Sequence, residues 1–370
     1  EVILLAKTID GVYSADPKVD KTAVVLSILP VHHTYECTLG FLLILYSGAC
    51  IAFCRGIRYI TQDMADIEPT VFITVPLMIE KFYARIMKKI AVLTSGGDAP
   101  GMNACVRSVV RAALHHGLEV YGIRRGWHGL INGDVVRLQV RDVSRIINRG
   151  GTILYTARSK EFMTEEGQRK AASTCKFLGL DSVIAIGGDG TFRGAQKLSA
   201  AGVNTVGVPA TIDNDIGCSH YTIGFDTAAN TAIECIDKLS DTMQSHERAS
   251  VVEVMGRHAG HLAVYVGLAV GATAILVPEF PVDFERDVIE RVRQGKYRGK
   301  RHFVIVVAEG VGRCDEIARR IEEETGVDAR VSILGHIQRG GAPSGRDRTM
   351  AARMGHTAVE ELALGHTNLV

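Results

Sequence analysis

The sequence carries almost no net charge, which limits the partners that charge alone could attract. Its 42 Lys and Arg residues nearly balance 41 Asp and Glu residues, leaving a net charge of +1. We therefore expect neither a nucleic acid nor an acidic surface as a partner. The eight cysteines are scattered without Cys-x-x-Cys pairs. This pattern favours a reduced, cytoplasmic chain over a disulfide framework.

Long hydrophobic runs are also missing. The apolar stretch 41–54 is shorter than the roughly 18–20 residues that a membrane-spanning helix needs, so we expect no membrane span. Residues 1–5 lack the basic segment that opens a signal peptide. The chain does not begin with Met, and we expect that its natural start is missing.

A globular balance is present instead, with 46% hydrophobic and 22% charged residues in a chain of 370. That length suffices for about two or three domains. From residue 89 onward, strand-like runs alternate with helical patterns, which predicts an α/β fold with mainly parallel, doubly wound sheets in two lobes. The expected strands are 90–94, 118–123, 182–186, 204–208, 250–254, 273–277, 303–308 and 330–334. The expected helices are 102–115, 191–200, 227–243, 259–269, 284–294, 314–324 and 346–363, with glycine caps at Gly117, Gly271, Gly295 and Gly326.

Residues 1–88 do not share this alternation. Residues 1–26, through the motifs at 4–7 and 10–17, resemble an internal piece of bacterial uridylate kinase. Residues 27–86, through 29–36 and 69–76, resemble an internal piece of an AMP-forming long-chain acyl-CoA synthetase. Neither piece is a whole domain, and the second lacks the synthetases' nucleotide loop, so we expect no activity from either. His32 and His33 are interpreted as a loop pair rather than metal ligands. The chain is interpreted as a joining of three sources, natural or through sequence assembly.

Three loops with glycine or aspartate follow expected strands, at 95–101, 187–191 and 211–215. Bare backbone N–H groups before a helix bind phosphate, and a carboxylate there suits magnesium. Asp189 is therefore a candidate magnesium ligand, and Thr191 a candidate helix cap. Each glycine loop by itself could also be a plain strand-to-helix turn, with Asp189 as a cap. Together the loops indicate phosphoryl transfer.

The loop 211–215 carries two carboxylates, Asp213 and Asp215. If the chain stays extended, they point to the same side. One could then accept a proton from an attacking hydroxyl while the other orients metal-bound water. The structural alternative is an Asx-type turn with solvated carboxylates.

Several arginines lie beside glycines or near strand ends, where their planar guanidinium groups could bind a phosphorylated sugar. Any one of them could instead be a solvated surface charge. These arginines are Arg158, Arg248, Arg257, Arg330 and Arg339.

Residues 87–370 resemble the bacterial ATP-dependent 6-phosphofructokinases. The resemblance covers about three quarters of the chain and rests on the motifs 93–103, 147–152, 187–191, 211–215, 252–257 and 334–341. It implies phosphoryl transfer from MgATP to the C1 hydroxyl of fructose 6-phosphate, in glycolysis, by a homotetramer with shared sites. It also implies two Rossmann-like lobes, one of residues 87–224 plus 336–370 for ATP and one of 225–335 for the sugar phosphate.

The resemblance assigns roles by motif position. It implies Asp213 as the base, with Thr211 and Arg257 assisting catalysis, and Asp189 as the magnesium ligand. Arg248 and Arg330 would reach the sugar phosphate of a neighbouring subunit, and Arg107 and Arg111 would bind an effector phosphate. The implied ATP residues are Gly97, Arg158, Ser159, Gly188, Asp189, Gly190 and Thr191. The implied sugar-phosphate residues are Thr211, Ile212, Asp213, Arg248, Met255, Gly256, Arg257, Glu309, Arg330, His336, Ile337, Gln338 and Arg339.

Three departures from the family pattern keep alternatives open. Ala210 stands where ATP users usually carry Gly and pyrophosphate users carry Lys, whereas Gly190 matches the ATP users. Ser240 replaces an effector-binding Arg, which leaves control by ADP or phosphoenolpyruvate open. The chain ends before the family's closing strand and helix, and we expect that loss to expose apolar surface. The alternatives are a pyrophosphate-dependent enzyme and a catalytically impaired sugar-phosphate-binding chain.

Overall fold

This computed structural model describes residues 24–27, 46, 50–53, 63, 66–68, 71–73 and 88–370. The chain forms two compact units, Glu1–Met87 and Lys88–Val370. In the first unit, strands β1 (Val24–Ser27), β2 (Cys50–Phe53) and β3 (Val71–Ile73) form a parallel sheet in the order β2-β1-β3. Strand β1 spans the junction expected between residues 26 and 27. The motifs at 4–7, 10–17 and 29–36, with His32 and His33, lie outside the described residues.

The second unit begins with a five-stranded sheet in the order β6-β5-β4-β7-β8, parallel except for the edge strand β6. Its strands are β4 (Lys89–Thr94), β5 (Glu119–Ile123), β6 (Val135–Arg137), β7 (Ser182–Gly187) and β8 (Asn204–Pro209). Its helices are α1 (Met102–His115), α2 (Gly126–Asn132), α3 (Glu165–Leu178) and α4 (Asp189–Ala200), with a 3-10 turn at Glu161–Met163.

A second, four-stranded parallel sheet has the order β10-β11-β9-β12. Its strands are β9 (Ala249–Val254), β10 (Ala274–Leu276), β11 (Phe303–Ala308) and β12 (Ala329–Ile333). Around it lie α5 (Phe225–His246), α6 (His261–Ala269), a π-helical turn at Glu285–Ile289, α7 (Glu290–Tyr297) and α8 (Cys314–Thr325). A 3-10 helix at Gly335–Arg339 precedes α9 (Gly345–Ala363), which packs against α1.

The central strands are apolar along their whole length because helices cover both faces of each sheet. Every residue of β7 and of β11 is buried. This accounts for the continuous Val- and Ile-rich runs that predicted parallel strands. The predicted fold class, α/β with mainly parallel sheets in two lobes, is confirmed.

One predicted helix cap is wrong. Gly117, Gly271 and Gly326 have positive φ angles just after α1, α6 and α8. Gly295 instead lies inside α7, which continues to Tyr297. A Cβ at Gly295 would lie 2.7 Å from Cε1 of Phe303. The absence of a side chain at this position therefore lets α7 pack closely against β11.

No helix in the described part of the chain is both long and apolar enough to cross a membrane. Cys50, Cys105, Cys175, Cys218, Cys235 and Cys314 are free thiols.

Candidate active site

Three loops meet at the carboxyl edge of the first sheet, where β4, β7 and β8 lie side by side. The Ser95 amide donates to the Ile186 carbonyl at 3.1 Å, and the Ala210 amide donates to the Gly187 carbonyl at 2.9 Å. The strand order reverses at β4, since β5 and β7 lie on its opposite sides. Open α/β sheets bind ligands in the crevice that such a reversal leaves at the carboxyl ends of the strands. The topology thus brings the loops 95–101, 187–191 and 211–215 together.

Position 187 requires glycine because the loop 95–101 approaches its backbone closely. A Cβ there would lie 2.5 Å from the Ser95 carbonyl oxygen. The hydroxyl of Thr191 donates to that same oxygen at 2.9 Å. Two loops that are 96 positions apart are therefore held in contact through backbone and hydroxyl groups.

Thr191 was expected to cap the following helix, and this prediction is wrong. Helix α4 begins two residues earlier, at Asp189, with Gly188 in the cap position. Asp189 lies in the first turn, with its side chain half exposed and 3.0 Å from Arg193 in an ion pair. The exposed amide groups at this helix start and the adjacent carboxylate offer a phosphate and its cation complementary groups.

Asp213 is the buried carboxylate of the site. The residue is 9% exposed, and its Oδ1 has no hydrogen-bond partner among the described residues. Burial raises its pKa, and the charges of Asp215 and Glu309 raise it further, whereas Arg339 lowers it. A partly desolvated carboxylate with one oxygen free of hydrogen bonds is well suited to accept a proton.

The loop that carries Asp213 does not stay extended. Asn214 has φ +51°, so the backbone bends between the two carboxylates and they do not point to the same side. Asp213 is buried, whereas Asp215 is exposed. Thr222 holds this turn, because its hydroxyl donates to the Thr211 carbonyl at 2.6 Å. Its amide also donates to Asn214 Oδ1 at 3.0 Å. Ile212 is fully buried, so this residue presents no exposed surface to a ligand.

The carboxyl edge of the second sheet carries another group of the predicted residues. Met255, Gly256 and Arg257 follow β9, and Glu309 follows β11. The Arg257 amide donates to Glu309 Oε2 at 3.0 Å, and Arg257 has φ +55°.

Gln338 ties the 3-10 helix to this edge. Its Oε1 accepts a hydrogen bond from the Met255 amide at 2.9 Å, and its side chain is fully buried. The neighbouring His336 and Ile337 are exposed.

Arg339 connects the two edges. Its Nη1 donates to the Asp98 carbonyl at 3.1 Å, and its guanidinium Cζ would lie 3.0 Å from a Cβ at Gly97. Its charge also acts on Asp213. The loop 95–101 of the first sheet and the 3-10 helix at the edge of the second sheet thus meet through this arginine.

Arg248 and Arg330 are not brought to these loops. They lie at the amino ends of β9 and β12, whereas Met255 follows the carboxyl end of β9. At about 3.3 Å per residue, Arg248 and Met255 are roughly 20 Å apart along the strand. Both arginines pair with Asp328, at 2.5 Å and 2.7 Å.

The remaining candidates lie near the first loop or on α1. Thr156 donates to the Gly96 carbonyl at 2.6 Å, which brings its neighbour Arg158, an exposed side chain, close to that loop. Ser159 accepts from the Phe162 amide at 3.1 Å. Arg107 and Arg111 lie four positions apart on α1, so they share one helix face.

Sequence reasoning missed Thr222 and Asp347, both of which support the Asp213 loop. Asp347 follows Ser344 by three residues, a spacing that signals a helix start. Nothing local in the sequence indicated that its side chain contacts residues more than 100 positions away.

The phosphofructokinase family model matches residues 89–362. The chain belongs to the phosphofructokinase family. The family match covers all three loops of the first sheet and both edges described above.

Two relatives of this phosphofructokinase are similar over most of its length. An ATP-dependent 6-phosphofructokinase 1 from Clostridium perfringens is 58% identical over 284 residues, which are 77% of this chain and 89% of the relative. An ATP-dependent 6-phosphofructokinase from Bacillus pumilus is 57% identical over 279 residues, 75% of this chain and 87% of the relative. The phosphofructokinase structure from Saccharomyces cerevisiae matches with a TM-score of 0.70 and 37% identity, over 75% of this chain and 42% of the yeast chain.

A second family model, of AMP-binding enzymes, matches residues 3–129. It agrees with the synthetase resemblance expected for residues 27–86 and overlaps the phosphofructokinase match over 89–129. Two different families thus match one chain, in keeping with the interpretation of a composite sequence. The domain boundaries and the uridylate-kinase-like piece at 1–26 stay predictions.

Proposed function

We propose that this chain transfers the γ-phosphoryl group of ATP to the C1 hydroxyl of fructose 6-phosphate, giving fructose 1,6-bisphosphate and ADP. The observation that carries the proposal is the unpaired, buried Oδ1 of Asp213 at the point where the loops of the first sheet meet. The names of the relatives, ATP-dependent 6-phosphofructokinases, support ATP as the donor.

Asp213 acts as the general base. A sugar hydroxyl is a weak nucleophile and needs a positioned carboxylate to accept its proton as the bond to phosphorus forms. Burial raises the pKa of Asp213 above its ordinary value of 3.8, which makes the carboxylate a stronger base. Arg257 and Thr211 assist by orienting the sugar and the transferred group.

The ATP phosphates would lie against the loops 95–101 and 187–191 and the start of α4. Gly190 leaves open space beside the backbone. Gly97, Gly188 and Thr191 would line the same site, and Arg158 and Ser159 would bind from the side. The described residues contain no group of three or more His, Cys, Asp or Glu that could hold a metal alone. One carboxylate, Asp189, fits Mg²⁺, which is commonly held by one or two carboxylates together with phosphate oxygens and waters. When bound, Mg²⁺ would neutralise the charge on the transferred phosphoryl group.

The sugar phosphate would be held by residues of the second edge, namely Met255, Gly256, Arg257, Glu309, His336, Ile337, Gln338 and Arg339. Ile212 is fully buried and would contribute only through the turn that it shares with Asp213. Arg248 lies roughly 20 Å from Met255 along β9, and Arg330 lies near the amino end of the neighbouring strand β12. We therefore propose that they serve the site of a second copy, in a homotetramer. Arg107 and Arg111 bind an effector phosphate, ADP or phosphoenolpyruvate, in a cytoplasmic enzyme.

A coupled assay on the full chain tests the proposal, with ATP and pyrophosphate compared as donors. We expect turnover of fructose 6-phosphate with ATP and little with pyrophosphate. Turnover with pyrophosphate alone would overturn the choice of donor. A matched chain beginning at Met87 serves as the control for the N-terminal unit. Sugar-phosphate binding by both chains without turnover by either would replace the enzyme with a binding protein.

A further inference from the structure

Asp347 is a fully buried acidic residue near the start of α9. Its Oδ1 accepts hydrogen bonds from the Tyr221 hydroxyl at 2.5 Å and from the Gly224 amide at 2.7 Å. Its Oδ2 accepts from the Thr227 amide at 2.8 Å and also from the Thr227 hydroxyl. All these donors belong to the segment 221–227, which is more than 110 positions away in the chain.

The partners of Asp347 are the first residues of α5 and the turn before it. Gly224 takes the cap position of α5, with φ +108°. Orphan amide groups at a helix start are normally satisfied by a local capping side chain. Here α5 has no side-chain cap of its own, and an aspartate from α9 satisfies two of its amides.

The same segment contacts the Asp213 loop on its other side. Thr222 holds Thr211 and Asn214 through hydroxyl and amide hydrogen bonds. The Ile223 amide donates to the Pro209 carbonyl at 2.9 Å. The segment 221–224 therefore lies between Asp347 and the residues on both sides of Asp213.

We propose that Asp347 is a positioning residue for phosphoryl transfer: it fixes the segment 221–227, which in turn holds the turn that carries Asp213. This inference rests on the proposed function for its catalytic consequence, while its structural part stands independently. Asp347 accepts hydrogen bonds from Tyr221, Gly224 and Thr227, and its effect reaches the turn of Asp213 through Thr222.

An asparagine at 347 keeps the volume but turns an NH₂ group toward donors, so it cannot accept all these hydrogen bonds. Because a misplacement of about 1 Å can cost about 100-fold in rate, we expect Asp347→Asn to lower kcat by about 10- to 100-fold. The KM for ATP should change by less than about twofold, since the loops 95–101 and 187–191 keep their own contacts. Tyr221→Phe, which removes one donor only, should act in the same direction and less strongly.

Asp315→Asn is the matched control. Asp315 also lies in the first turn of a helix, α8, but it is exposed. We expect this variant to keep the kinetics of the unaltered chain. In an Asp213→Asn background, adding Asp347→Asn should lower kcat by less than about twofold, because both changes act on one step.

Hydrogen–deuterium exchange on the full chain gives a readout that does not need activity. We expect Asp347→Asn and Tyr221→Phe to increase exchange in peptides covering 210–215 and to leave those covering 187–191 unchanged. Unchanged exchange at 210–215 together with unchanged kcat overturns the inference, and so does a uniform increase in all loops. If Asp347→Asn does not fold, Tyr221→Phe decides. An inactive parent chain would overturn the proposed function, while the exchange result would still decide whether Asp347 holds this loop.

Discussion

The Arg339 guanidinium donates a hydrogen bond to the Asp98 carbonyl at 3.1 Å, across 241 positions of sequence. Arg339 belongs to the 3-10 helix after β12, and Asp98 belongs to the loop after β4. The contact joins the carboxyl edges of the two sheets. It also sets the positive charge of Arg339 where it lowers the pKa of Asp213.

Replacing Arg339 by Gln should affect both sugar binding and proton acceptance. Loss of a charge-assisted hydrogen bond costs about 1.5–3 kcal/mol, so the KM for fructose 6-phosphate should rise by about 10- to 100-fold. The pKa of Asp213 should rise when the opposing positive charge is removed, which moves the acid limb of the kcat–pH profile to higher pH. Arg141→Gln, at an exposed arginine, is the control. An unmoved acid limb would show that Arg339 does not act on the base.

Asp213→Asn should lower kcat by about 10²- to 10⁴-fold, the usual contribution of a general base, with little change in the KM for fructose 6-phosphate. Near-normal turnover would remove Asp213 from its assigned role.

The same substitution should stabilise the fold at neutral pH. Burial raises the pKa of Asp213, so the folded chain binds this proton more tightly than the unfolded chain. That contribution is fully present below about pH 3.8, the ordinary value, and is lost as pH rises through the folded pKa. Thermal unfolding should therefore give Asp213→Asn a higher Tm than the parent at pH 7, and the difference should vanish below pH 4. A lower Tm at pH 7 would contradict this.

Gly187→Ala should destabilise the nucleotide side of the site. Its Cβ would lie 2.5 Å from the Ser95 carbonyl oxygen and 2.9 Å from Thr191 Cβ. Overpacking of this kind costs about 1–3 kcal/mol, and we expect a lower Tm and a higher KM for ATP. Gly190→Ala is the matched control, because a Cβ built there meets no described atom within 4 Å beyond its chain neighbours and the backbone of its own helix. Equal Tm values for the two variants would contradict the prediction.

Gly190→Asp should fold normally, since the same open space admits a side chain. Its carboxylate would face the phosphates at the start of α4, and like charges in contact cost several kcal/mol. We expect the KM for ATP to rise by about tenfold or more, while Gly190→Ala stays within about twofold. Steady-state kinetics with each donor measure this. An unchanged KM would place the ATP phosphates away from Gly190.

Local sequence signals placed most of the second unit. The alternation of apolar runs with helical patterns identified β4, β7, β8, β9 and β11 and the helix that follows each of them. Glycines with positive φ ended α1, α6 and α8 where expected. The sequence patterns did not predict α2, α3 and β6. Two predicted caps, Gly295 and Thr191, failed because a distant partner sets the role of each residue, Phe303 in one case and Ser95 in the other. A local pattern cannot distinguish a glycine that caps a helix from one that packs against a strand.

By itself, the sequence determined which residues follow strands, which strand-following loops carry glycine or aspartate, and to which family the chain belongs, because these depend on neighbours along the chain. Only the tertiary structure decided that Asp213 is buried while Asp215 is exposed, that Arg339 meets the first loop, and that Asp347 supports the turn of Asp213. Burial and long-range hydrogen bonds depend on which chain segments meet after folding, and residues separated by more than 100 positions carry no shared periodicity from which that meeting could be inferred.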